Sequence, residues 1–182
     1  MPAVLRPIGD ERDGLSTTLA HVRNVFRIAA YGLHDDEARR RPTPSAFTVA
    51  TLVHHMVSVE RMWAAVIDRR SPHPSLEADA PITDLLADYE RACRETDEAV
   101  ANVDDLSQTA PLPADARWAP RDVDGYTVRW VVLHLIQETA RHAGHADMLR
   151  EAIDGATLLP LMAAAEQWPP RRTIKPWTRT TP

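Results

Sequence analysis

Residues 127–155 read TVRWVVLHLIQETARHAGHADMLREAIDG, and the fold turns on how this stretch is read. It carries three of the eight histidines, His134, His142 and His145. His134, Glu138, His142 and His145 are spaced four, four and three residues apart. Steps of three and four return to one face of an α-helix, so all four share a stripe. Trp130, Val131, Leu135, Ala146, Leu149 and Ile153 surround that stripe, and Asp154-Gly155 closes the helix. Such a polar stripe within an apolar helix has two readings. Each side chain finds its own hydrogen-bond partner, or some of them share a metal ion.

Upstream, the same 3–4 spacing recurs. Leu15, Leu19, Val22, Phe26 and Ala29 mark an amphipathic helix from Asp10 to about Gly32, with Gly32 as its C-terminal cap and His21 on its solvent side. Asp35 caps a short turn over 37–40, ended by Pro42 and Pro44. Thr48 caps a second long helix reaching about Arg70, with Leu52, His55, Met56, Val59, Met62, Trp63 and Val66 inward and His54 beside that stripe. Residues 71–81 contain three prolines and read as a loop. Thr83 caps a third helix that turns Leu85 or Leu86, Tyr89, Ala92, Cys93, Thr96 and Val100 inward and an acidic face to solvent.

A long connection follows over 104–126, with three prolines and Gly125. A connection of this length is often functional. Trp118 within it is read as packing over a bundle end, with a lid residue as the alternative. Residues 158–167 form a last short helix. The tail from Trp168 (WPPRRTIKPWTRTTP) is extended, against the body or a partner chain. Alternating β-branched runs do not occur outside the helical patterns. The expected class is all-α: one domain over 1–182, with a four-helix bundle over about 10–155, short extra helices, and a proline-rich extension over 156–182.

Bulk properties narrow the function. The 182 residues suffice for one substantial core. A net charge of -5 speaks against nucleic acid or an anionic membrane as partner. No apolar run is long enough to span a membrane, and the N-terminus has no secretory pattern. Cys93, the single cysteine, forbids an internal disulfide and points to a reducing, cytoplasmic setting. Its acidic and basic neighbours mark it as a small helix residue rather than a nucleophile. Lys175 stands alone against twenty arginines, a sign of GC-rich coding.

Glu138 and His142 lie one turn apart and converge on a point that His55, from another helix, can reach. Two imidazole nitrogens and a carboxylate oxygen suit Zn²⁺, Fe²⁺, Ni²⁺ or Mn²⁺, and three protein ligands leave a position open for water or substrate. The spacing Glu-x-x-x-His matches neither the His-Glu-x-x-His of zincins nor the paired Glu-x-x-His of di-iron bundles. Spacing alone leaves His134 and His145 as alternative ligands or as outer hydrogen-bonding partners.

LVHHMVSVERMW, followed some seventy residues later by RWVVLHLIQETARHAGHADMLREAIDG, resembles the DinB/YfiT-like superfamily of metal-binding four-helix bundles, in its actinobacterial branch. The resemblance covers residues 10–155 and implies up-down-down-up connectivity and a homodimer. It places the metal on His55, Glu138 and His142. Glu138 departs from the histidine pair of most DinB proteins and is similar to the mycothiol-dependent maleylpyruvate isomerases. Those enzymes carry a further C-terminal domain, which the residues after Gly155 are too few to form. His134, His145 and Arg141 then line the cosubstrate pocket. The implied activity is a metal-dependent transferase, with zinc first among the ions, joining a low-molecular-weight thiol such as mycothiol to an electrophile. The alternative is a non-catalytic metal- or ligand-binding stress-response bundle.

Overall fold

The computed structural model describes residues 5–114, 116–117, 119–169 and 173–179. They form α1 (Glu11–Ala29), α2 (Asp35–Ala38), α3 (Val49–Asp68), α4 (Ile82–Ala101), β1 (Thr109–Pro111), β2 (Gly125–Thr127), α5 (Val128–Asp154) and α6 (Leu158–Ala165). The four long helices are those that the 3–4 spacing predicts. The described residues sort into two compact units, one up to Val53 and again from Ile136, the other from His54 to Leu135. The divide falls inside α3 and α5, and each helix runs unbroken through it.

In the first unit, α1 starts at Asp10, whose carboxylate accepts the Asp13 N–H at 2.9 Å. It buries Leu19, Phe26, Ile28 and Ala29. His21 is half-buried rather than on the solvent side, and Arg23 is buried too, so α1 is covered over a wider arc than its apolar residues mark. Gly32 reverses the chain at φ +72, as expected of a residue past a helix end. The Trp177 ring lies 2.8 Å from where a Cβ on Gly32 would stand, so glycine is required twice over, for conformation and for space.

Arg150 of α5 is wholly buried beside this turn. Its Nη1 donates to the carbonyls of Ala29 (2.9 Å) and Tyr31 (2.6 Å), while Nε and Nη2 donate to both Asp154 carboxylate oxygens at 2.9 Å. The cation thus meets carbonyls at the negative end of the α1 dipole. Trp177 covers it, with the guanidinium 5.0 Å from the ring centroid. Trp177 also donates its backbone N–H to Pro160 at 2.8 Å and joins Trp168 against the core of Ile28, Ala156, Leu161 and Met162. Over 173–179 the tail is without helix or strand and seated on the body, the first of its two expected positions.

In the second unit, α3 is buried nearly all round: Met56, Val57, Val59, Trp63 and the four residues from Ala64 to Ile67 are each at most 8% exposed. The inward stripe expected from spacing is too narrow, because a helix apolar on every side is covered on every side. Two charges go in with it. Glu60 accepts the Thr96 hydroxyl at 2.7 Å. Arg61 grips Asp88 with Nη1 (3.1 Å) and Nη2 (2.7 Å) and donates to the Pro74 carbonyl at 2.6 Å. Asp88 also accepts the Leu76 N–H at 3.1 Å, so this pair pins the 71–81 loop.

The acidic face of α4 is therefore not all solvated: Asp88 is buried. Burial pushes its carboxyl upward, and hydrogen bonds from Arg61, Leu76 and Arg91 more than offset that, holding it below the usual carboxylate range. The helix begins at Ile82 with Pro81 at the cap, two residues ahead of Thr83, and buries Ala99 in preference to Val100.

The connection after α4 contains an antiparallel hairpin that the sequence does not announce. Thr109 pairs with Thr127, Ala110 with Tyr126, and Pro111 with Gly125. Three-residue strands, one ending in proline and the other starting with glycine, are too short to show alternation. A Cβ on Gly125 would come within 2.7 Å of the Ala110 carbonyl, so the pairing needs glycine there. The hairpin feeds directly into α5, where the N–H groups of Val128 and Arg129 donate to Gln108 and Leu106. Trp118, read as a packing or lid residue, lies outside the described residues.

Removing one partner of a buried ion pair strands the other charge, at a cost of about 3–5 kcal/mol. Arg61→Ala is expected to lower unfolding free energy by that order in urea titration. The double variant R61M/D88L is expected to recover most of it, since neither charge then remains.

Candidate metal centre

Position 126 and every fourth residue after it form a file along α5: Tyr126 at its threshold, then Trp130, His134, Glu138 and His142. A step of four residues advances a little over one turn, so neighbours in the file stand one above the next. The first three are planar and stack. Tyr126 lies on Trp130 at 3.8 Å between centroids and 14°, and Trp130 on His134 at 5.0 Å and 6°. Trp63 of α3 meets all three edge-on at 5.3–6.0 Å. His134 is thereby fixed within an aromatic column. Trp130, expected among the flanking apolar residues, is partly exposed and is the middle of that column.

The file then changes chemistry. His142 Nε2 and Glu138 Oε1 are 3.1 Å apart, a hydrogen bond whose proton position depends on the imidazole tautomer. His55 joins them: one ligand atom from each of His55, Glu138 and His142 lies within 4.8 Å of the others. Two ligands of a tetrahedral ion with ~2.0–2.1 Å bonds stand roughly 3.3 Å apart. The Glu138–His142 separation already matches this, and two nitrogens with one oxygen fit the donor preference of zinc and its neighbours. All three residues are half-buried, so the group is neither sealed in the core nor laid out on the surface.

The other residues singled out by sequence lie around this group. His145, half-buried one turn beyond His142, meets the Phe47 ring edge-on at 5.7 Å, and the same ring meets His142 at 6.4 Å. Arg141 is exposed, roughly 100° round the helix from His142. His54, beside His55, has its Nε2 3.1 Å from the Leu76 carbonyl. Phe47 was not singled out by sequence, since nothing in its local pattern ties it to residues nearly a hundred positions away. Tyr126 could have been found by extending the four-residue step one place upstream.

A cavity of about 730 Å³ lies elsewhere, within the loop over 112–124, between Leu112, Val123 and the side chains of Arg117 and Arg121. None of the histidines lines it. Its size is no guide to chemistry, because a metal site needs converging donors rather than volume.

The sequence pattern of the family described as mycothiol-S-transferase matches residues 14–155. No curated protein matches the chain. Among solved structures, a conserved protein from Enterococcus faecalis aligns with a TM-score of 0.61 at 18% identity, over 81% of this chain and 99% of that one. At that identity the likeness carries the fold alone.

Asp147, one turn after Ala143 on α5, has its carboxyl pushed up to about 6 by burial and then by the nearby Glu151 carboxylate. A carboxyl raised in the fold contributes stability below its unfolded value, and that contribution is lost as pH rises through about 6. Asp147→Asn is expected to raise the melting temperature at pH 7.5 and to leave it nearly unchanged at pH 4. Thermal unfolding followed by circular dichroism at the two pH values measures the difference.

Proposed function

The chain belongs to the mycothiol-S-transferase family, and from that premise we propose that it holds a divalent metal on His55, Glu138 and His142 and joins mycothiol to an electrophile there. Its fold is a DinB-like helical bundle. The observation that carries the reading is the convergence of three donor atoms within 4.8 Å. Zinc fits two imidazoles and a carboxylate best, with nickel, iron or manganese as poorer matches.

Three protein donors would leave a coordination position for the thiol. The ion, when bound, lowers the pKa of a coordinated thiol so that it stands as thiolate at neutral pH. In the transfer the sulfur lone pair forms a bond to the electrophilic carbon. The leaving group departs with the electrons of the bond that breaks, and the thiol proton passes to solvent. Glu138 would neutralise part of the charge of a bound ion. The aromatic column holds His134 in place one turn before Glu138, and His145 and Arg141 would offer polar contacts to the body of the cosubstrate. The acidic surface and the single cysteine suit a cytoplasmic enzyme. A homodimer, as the family resemblance implies, would cover isolated exposed apolar side chains such as Leu133 and Met148 on α5.

Purified protein is expected to carry about one divalent ion per chain, as one three-ligand site requires. His142→Ala is expected to lose it and to lower mycothiol turnover with a bromoalkyl electrophile by more than about 100-fold, beyond the loss typical of outer-sphere partners. Elemental analysis and single-turnover assays report the two effects separately. Full retention of tightly bound metal in His142→Ala would defeat the ligand assignment.

A further inference from the structure

From Gln137 to Ala152, within the first unit, α5 keeps one face open to solvent over about four turns. Two charges stand on that face, Arg141 and Glu151. Neither side chain forms an ion pair or hydrogen bond with another described residue. They lie about 15 Å apart along the axis, so they cannot meet each other. Between them Gly144 is exposed in the interior of a long helix. Glycine weakens a helix interior more than any residue except proline. Nothing within the chain requires it here, since a Cβ at 144 would meet no neighbouring group within 4 Å. One turn further on, Met148 is 68% exposed, the most exposed of the large apolar side chains described. A gap and a protruding apolar side chain therefore sit side by side, flanked by charges of opposite sign that the described chain leaves unpaired.

We infer that this face of α5, over 140–152, docks antiparallel on the same face of a second copy of the chain about a two-fold axis. The inference deepens the homodimer reading and rests on it, and it is independent of the metal and the thiol. In a two-fold interface each contact occurs twice, so a residue that meets another is met by it in return. Placing Arg141 opposite the partner's Glu151 fixes the register, and the other pairs follow without further choice. Met148 falls opposite the partner's Gly144, the protruding side chain against the gap. Ala140 falls opposite the partner's Ala152, small against small. A parallel pairing would instead set arginine on arginine and glutamate on glutamate, which like-charge repulsion disfavours. A carboxylate occupies two of the five guanidinium donors, so Arg141 keeps others for the cosubstrate. The contact runs along only about 18 Å of helix, short of the ~1,200–2,000 Å² of a stable complex, so association is reversible and concentration-dependent.

Sedimentation equilibrium over a series from about 1 to 300 μM protein tests this, a range that brackets weak association. The wild type is expected to show a monomer–dimer equilibrium. Gly144→Gln fills the gap with a polar side chain that the monomer has room for. It is expected to weaken dimerisation by more than about tenfold while thermal unfolding of the dilute protein is unchanged or shifted upward. Arg141→Glu and Glu151→Arg each set like charges together and are expected to weaken it by about tenfold. The double variant R141E/E151R restores opposite charges only in the antiparallel register, and is expected to return to within about threefold of the wild type. These charge variants carry the test if Gly144→Gln does not fold. A dimer that none of the substitutions weakens overturns the assigned surface and leaves the homodimer standing. Single charge variants that weaken the dimer without recovery in the double variant overturn the register. A wild type that stays monomeric across the series overturns the homodimer reading itself, and the inference with it.

Discussion

The pitch of α5 is the constraint on which the site depends. A helix advances 3.6 residues per turn, so residues four apart nearly superimpose and drift only slowly round the axis. Along 27 unbroken residues that geometry sets an aromatic column and a carboxylate–imidazole pair in a single file. A break in the helix between His134 and Glu138 would separate the two kinds of chemistry. The hairpin before α5 gives the helix a fixed start by taking up the otherwise unpaired N–H groups of Val128 and Arg129. Where the file begins, and hence where its donors fall, is thus set by backbone pairing upstream.

Two buried arginines do comparable work in the two units. Arg61 ties a proline-bearing loop to α3 and α4 through Asp88, and Arg150 ties the end of α1 to the end of α5 through Asp154. In both cases one guanidinium meets a carboxylate and main-chain carbonyls together, which a planar cation with five donors can do and lysine cannot. Buried ion pairs are poor sources of net stability, but they fix geometry sharply, since any slippage leaves a charge unmet.

The long helices were legible because apolar residues repeat at three and four positions along each, even where α3 is apolar all round, and Gly32 was legible because chain reversal demands a rare backbone angle. The hairpin was not, since three-residue strands carry no periodicity and its Pro and Gly read as loop. Asp88 escaped because its carboxylate looks like its solvated neighbours until Arg61 is seen opposite. Spacing alone left any three of the four polar residues of α5 open as a ligand set. Resemblance named His55, Glu138 and His142, and the structure brings those three together. Phe47 was invisible for a different reason: its meaning is a contact with residues 95 and 98 positions away, and no local pattern encodes that.

The Trp177 ring against Gly32 has a consequence for the order of folding. The second unit is one continuous stretch of chain, and its contacts can form as soon as residues up to Leu135 have been synthesised. The first unit is closed by segments far apart in the sequence, with Arg150 reaching Ala29 across 121 positions and Trp177 filling the space at Gly32 from further still. Closing so long a loop carries an entropic cost that is recovered only when both ends are present. During synthesis Ile28 of α1 must therefore wait, uncovered, until the residues from Ala156 to Trp177 are available to pack on it. The segment beyond the family match thus completes the core around Ile28, and a chain stalled before it would present the apolar face of α1 to whatever chaperone is at hand.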